Sequence, residues 1–207
     1  MASQTARDKD TSPADYWHDM PAPRVGWDLL SRQPHIIEVG DIVHVQGGSI
    51  FSRAIRWVTR SSAEAPSWAS HTALVLEVAS KVEVIDTVGI RVRVRPLGAN
   101  SFSRSKVLVS RVPGGLSAQQ KERLTEKVRD YEGRLYGVFK LLAHVLDRLL
   151  DNHYFFRRLA RMDDYPICSW IVAYTYQRSL GLMFGCPPNA TQPDDILDYC
   201  VATRWTR

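Results

Sequence analysis

Cysteine is scarce: Cys168, Cys186 and Cys200 are the only three in 207 residues. An odd, sparse set builds no disulfide framework, points to a reducing compartment at synthesis and leaves at least one thiol free. Long apolar runs are missing too. No stretch approaches the roughly 18 residues of a membrane span, and the opening MASQTARDKDTSPAD lacks the apolar core of a secretory signal. The expectation is a soluble protein, cytoplasmic at synthesis, for which any export follows a non-Sec route. Blocks of adjacent basic residues are absent as well. The net charge of +5 is spread over arginines along the chain, a mild lean toward anionic partners with no nucleic-acid module among them. There is no internal repeat, low-complexity tract or heptad array, which excludes solenoids and coiled coils.

What is present is an ordinary globular composition, 44% hydrophobic and 24% charged, enough for one sizeable core. Residues 1–24 are polar and hold Pro13, Pro21 and Pro23, so they read as a mobile or irregular arm, and 25–207 as a single domain. "EVGDIVHVQG" alternates around Gly40 and closes on a glycine pair, a short strand ending in a turn. "SIFSRAIRWVTRSS" has an apolar stripe behind Ser49, an N-capped amphipathic helix with its arginines on the wet side. "SHTALVLEV", "KVEVIDTV" and "GIRVRVRPL" are consecutive strands in an antiparallel meander, to which "SKVLVSRV" adds a fourth. Ser117 opens a helix that Gly133 stops. "GVFKLLAHVLDRLL" is a further amphipathic helix, residues 151–164 an irregular aromatic and basic insertion, and one more helix begins at Cys168. Strands in the middle and helices toward both ends make an α+β domain, a small antiparallel β-sheet packed against helices.

Cysteine chemistry needs a thiolate, a base that makes it and donors for an oxyanion. Cys168, two residues after Pro166 at the start of an apolar helix, is placed where helix N-terminal amides lower a thiol pKa. An unpaired cysteine is also a good core residue, and composition alone does not separate the two readings. Among six histidines, His71 opens the first meander strand, where a side chain points off the sheet edge toward a helix terminus. His18, His35, His44, His144 and His153 are less well placed, and none is paired with cysteine or carboxylates at metal spacing, so no metal site is assigned. Antiparallel pairing of the first two meander strands carries Asp86, or else Glu83, beside His71. Glu77, next to the turn, reads as a solvated residue.

The order of "GDIVHVQGGSIFSRAIRWVTRS", "SHTALVLEV", "VEVIDTVGIRVRVRPL", "YEGRLYG", "YPICSWIVAYTYQ" and "TQPDDIL" resembles the circularly permuted branch of the NlpC-type papain-like superfamily, the YiiX-like proteins related to lecithin:retinol acyltransferases. The resemblance runs from about residue 38 to 198 and implies a permuted papain-like fold. It implies Cys168 as nucleophile, His71 as general base and Asp86 as the third member, with no cofactor. The reaction implied is hydrolysis or transfer at an amide or ester, on a cell-wall peptide or a lipid acyl group. Tyr136 falls on a family-like position and is either a cleft residue or a packing aromatic; Trp68 and Trp170 are either substrate walls or core anchors. Cys186 and Cys200 read as structural. Arg53, Arg56 and Arg60 would suit an anionic substrate. Without a signal peptide, a bacterial effector or toxin, with an immunity or carrier protein as partner, or a phage protein fits this reading. The alternative is a papain-like module without activity that associates with a membrane surface or a protein partner through "GVFKLLAHVLDRLLDNHYFFRRLARM".

Overall fold

The structure, a computed structural model, describes residues 36–59, 67–79, 81–88, 91–97, 105–135 and 167–205. The N-terminal arm, Arg60, Tyr136, the helix expected from residue 137, the 151–164 insertion and Pro166 lie outside the described residues. In chain order the elements are β1 (Ile42–Gln46), α1 (Ile50–Val58), β2 (His71–Val78), β3 (Val82–Val88), β4 (Arg91–Pro96), β5 (Lys106–Ser110), α2 (Ala118–Arg129), α3 (Cys168–Leu180) and α4 (Pro193–Ala202). The molecule is α+β: one small antiparallel sheet of five strands and, among the described residues, four helices.

The sheet runs β4-β3-β2-β1-β5. β2, β3 and β4 form the expected meander, but β5 pairs with β1, setting Ile42 opposite Ser110, instead of extending the sheet beyond β4. β1 is thereby interior, and its four residues from Ile42 to Val45 are all buried, so the alternation read from its sequence is not an inside-outside pattern. One face of the sheet, with Ile42, Leu74, Leu76, Ile85 and Val92, packs under α2, α3 and α4 through Leu124, Val128, Trp170, Ile171, Tyr176 and Ile196. The other carries Val43, Val45, Ala73, Val75, Val84 and Val107 around Ile37 and Leu97. Each such side chain contributes roughly 1.5–3 kcal/mol, so a doubly covered β1–β2 pair is the rigid centre from which the site is hung.

Capping follows sequence chemistry in part. Ser49 accepts from the Ser52 N–H at 3.0 Å, and Ser117 with Gln120 makes a reciprocal capping box on α2. α2 ends at Arg129, four residues short of Gly133, whose positive φ of 81° instead turns the chain so that its N–H reaches the Val92 carbonyl at 2.9 Å. The apolar stripe of α1 is not buried as a unit. Ile50 is 85% exposed and Ala54 and Trp57 are also exposed, while Arg56 turns in to donate to the Ser67 carbonyl.

Candidate active site

β2 begins at the rim of the sheet, and three of the four residues before it are fastened from three directions. Ser67 hydrogen-bonds the Arg56 carbonyl of α1 with its N–H (3.2 Å) and hydroxyl (2.9 Å). The Ala69 N–H donates to Asp194 Oδ1 at the start of α4, and Ser70 bridges the Val45 carbonyl and the Gly47 N–H. Gly47 is required here: a Cβ would meet Ser52 Oγ at 2.2 Å. His71 is therefore presented by a rigid corner.

Cys168 is the first residue of α3, with Ile167 as an N-cap that offers no side-chain bond. The sulfur sits at this helix end, where the backbone N–H groups of Ser169 and of Thr72 in β2 favour its anionic form. Ser169 Oγ donates to the Thr191 carbonyl at 2.8 Å and ties α3 to the loop before α4, where Pro193 at the first turn and a Gln192–Asp195 capping box begin the next helix. The "CS" and "TQPDD" segments thus brace each other.

The imidazole of His71 lies beside Cys168 on one side, near enough for each group to shift the other's charge. On the other, Nε2 lies 3.2 Å from Asp86 Oδ2. The carboxylate is only an acceptor, so Nε2 carries its proton and Nδ1 is left to face the thiol. Pairing of β2 with β3, Leu74 opposite Ile85, sets Asp86 and His71 as diagonal neighbours on one face, and Glu83 alternates onto the other. Of the two carboxylates weighed from sequence, Asp86 is the one at His71. Glu77 is exposed.

These groups hold one another's charge. Burial alone would push the Cys168 thiol up, but the imidazolium of His71 and the two backbone N–H groups outweigh it and hold the thiol below its ordinary value. Burial alone would keep His71 neutral; the adjacent thiolate and the Asp86 hydrogen bond instead raise its pKa to about 10. Burial also opposes the Asp86 charge, yet His71 first and Arg95 second hold it below the usual carboxylate range. Cys168 is buried and the His71 side chain is 19% exposed, so the described site reaches solvent at the imidazole.

Arg95 is the residue that sequence reasoning missed. Its Nε lies 3.0 and 3.1 Å from the two Asp86 oxygens, and Nη2 also donates to Oδ2. The signal was the R-V-R-V-R alternation of β4, which sets Arg93 directly across from Asp86 and Arg95 one diagonal step away. Trp170 is not a substrate wall. It has no exposed surface and stacks on Tyr174 in the core, since a residue two positions into α3 faces the sheet. Trp68 is half-buried against Ala69, Leu108 and Leu197. Cys200 is buried, and Cys186 sits in a loop 3.3 Å from Thr191 Oγ1.

No family model matches the chain. The uncharacterized protein YiiX of Escherichia coli K12 is 27% identical over 150 residues, which cover 72% of this chain and 61% of that protein. The crystal structure of metalloprotein YiiX from E. coli O157:H7 superposes with a TM-score of 0.53 at 27% identity, over 72% of this chain and 69% of that one. The chain is similar to YiiX in sequence and in fold. It spans about three fifths of the length of the K12 YiiX protein, and the comparison reaches the YiiX-like part of the expected resemblance.

Proposed function

We propose that the chain is a cysteine hydrolase or acyltransferase of permuted papain-like fold, acting on an amide or ester through a thioester on Cys168. The observation that carries the reading is the Cys168–His71–Asp86 row: a thiol at a helix N-terminus, an imidazole beside it and a buried carboxylate at 3.2 Å from the ring's Nε2, an arrangement that favours the thiolate–imidazolium pair.

The steps follow from the groups present. The Cys168 thiolate attacks the carbonyl carbon, forming a C–S bond while the π pair moves to oxygen. Collapse breaks the bond to the leaving amine or alcohol, which takes the proton from His71 Nδ1. Neutral His71 then removes a proton from water, or from an acceptor hydroxyl or amine. The oxygen or nitrogen so activated attacks the thioester and the sulfur departs as thiolate. Asp86 stays ionised and stabilises the imidazolium at each stage. A cell-wall peptide or a lipid acyl group are the substrate classes this reading takes from the family resemblance.

The YiiX of E. coli O157:H7 is described as a metalloprotein. In this chain, among the described residues, no three His, Cys, Asp or Glu side chains converge as a metal ion would require. Both Asp86 oxygens are engaged by Arg95 and His71. The described donor set does not fit a metal, and no step is routed through one.

The test is a short-chain p-nitrophenyl ester followed by intact-protein and peptide mass spectrometry. The expected result is an acyl adduct on Cys168 that decays with turnover, is absent in Cys168→Ala and accumulates far more slowly in His71→Ala. Acylation of Cys186 at the same rate as Cys168, or none on a folded protein, would sink the reading.

A further inference from the structure

We propose that Arg95 is a positioning residue of this site, acting through Asp86; the proposal rests on the thiol-enzyme reading above. Three arginines, Arg91, Arg93 and Arg95, share one face of β4. Arg91 is spent on the Gly133 carbonyl at 2.8 Å, and Arg93, opposite Asp86, is exposed. Arg95 instead crosses diagonally and grips the carboxylate with a fork, Nε to both oxygens and Nη2 to Oδ2.

The Asp86 side chain has no exposed surface, so water does not help to fix it. A carboxylate held only by His71 Nε2 could swing about its terminal torsion, and the imidazole would swing with it. A planar guanidinium donating two parallel bonds removes that freedom, which a lysine ammonium, a point donor, does not. The charges also alternate along the row: thiolate, imidazolium, carboxylate, guanidinium. Arg95 offsets the charge of Asp86, so the buried carboxylate remains ionised without being left uncompensated. Its bonds in this site are to the Asp86 carboxylate, which makes Asp86 the route by which it acts on Cys168.

That requirement sets the experiment, a double-variant cycle read by iodoacetamide alkylation of Cys168 from pH 5 to 10, with peptide mapping of all three thiols. Arg95→Met and Asp86→Asn should each slow Cys168 alkylation at pH 6 by on the order of 10-fold and move the inflection of its pH profile upward. Arg95→Lys should fall between Arg95→Met and wild type. In the Asp86→Asn background, both Arg95 changes should be silent to within about 2-fold. A merely structural role behaves oppositely: opening of the fold speeds labelling of buried Cys200, and the Arg95 effect persists without Asp86. Additive effects, or an Arg95→Met protein whose Cys168 reacts as in wild type, overturn the proposal. If Arg95→Met does not fold, the Arg95→Lys arm carries the same cycle. A wild-type Cys168 no faster than Cys186 would instead overturn the reading of the site, and the proposal with it.

Discussion

Asp194, in the first turn of α4, accepts a hydrogen bond from the Ala69 backbone N–H at 2.9 Å, across 125 residues of sequence. Both are buried, and the contact fixes the corner from which His71 emerges. Asp194→Ala would leave a buried N–H without this acceptor, at about 1–3 kcal/mol; Asp194→Asn, which keeps an acceptor oxygen, should lose less. Urea unfolding gives the stability difference, and alkylation of Cys168 under native conditions should slow in the alanine variant as the His71 corner loosens. Unchanged stability and reactivity would show that the corner is held by Ser67 and Ser70 without α4.

Acid stability should depend on a histidine that takes no part in the site. His44 has no exposed surface, its Nε2 lies 2.9 Å from Ser110 Oγ, and burial pushes its pKa from 6.5 down to about 3. Below pH 6.5 the unfolded chain binds a proton at this position that the folded chain refuses until about pH 3. The contribution of neutral His44 is therefore complete above pH 6.5 and lost as pH falls from there toward 3, by at most about 1.4 kcal/mol per unit. His44→Gln, which keeps a polar partner for Ser110 and does not titrate, should flatten the melting temperature between pH 6.5 and 4 relative to wild type. An equal acid slope in the two proteins would assign it to other groups.

Local signals carried well where they were sufficient by themselves. Ser49 and Ser117 cap the helices expected of them, and α3 begins at Cys168, because a side-chain acceptor or an apolar period acts within one turn of its own residue. The pairing of His71 with Asp86 was legible because two strands joined by a tight turn fix each other's register, whereas the meeting of Cys168 with His71 was an expectation from the family resemblance alone. Non-local placement was not. That β5 joins β1, and that β1 is covered on both faces, depends on which edge of the sheet is open once the rest has formed. Trp170 went to the core because the sheet, not the helix, decides which face of α3 is inward. Arg95 was hidden by its context, since an arginine in an alternating exposed strand reads as solvated until a carboxylate is known to lie diagonal to it.

The three thiols should separate by chemistry. Cys168 is held below its ordinary pKa by His71, whereas burial pushes Cys200 up to about 12 despite its bond to Ser110. At pH 7 iodoacetamide should label Cys168 first and Cys200 last in the folded protein, with Cys186, partly exposed in its loop, between them. In 6 M guanidinium the three should converge on one rate. Labelling led by Cys186 in the native state would mean that the His71 imidazolium does not serve Cys168.

The two acidic residues of β3 give the sharpest contrast, because they sit three apart on one strand and face opposite ways. Asp86 is buried against His71 and Arg95, while Glu83 is half-buried, opposite Glu77 and Pro96 and away from the imidazole. Asp86→Asn keeps the shape but offers an amide where Nε2–H needs an acceptor, and it removes the charge that favours the imidazolium. Turnover of an ester substrate should fall on the order of 10- to 1,000-fold, less than a serine nucleophile would lose, since a thiol depends less on its base. Asp86→Asn should also lose stability, because the Arg95 guanidinium is left beside a neutral side chain, so rates must be compared per folded molecule. Glu83→Gln should change neither rate nor folding measurably. Loss of turnover in Glu83→Gln with full activity in Asp86→Asn would contradict the strand register; full activity in both would reduce the site to Cys168 and His71, with the ring held by the rigid corner alone.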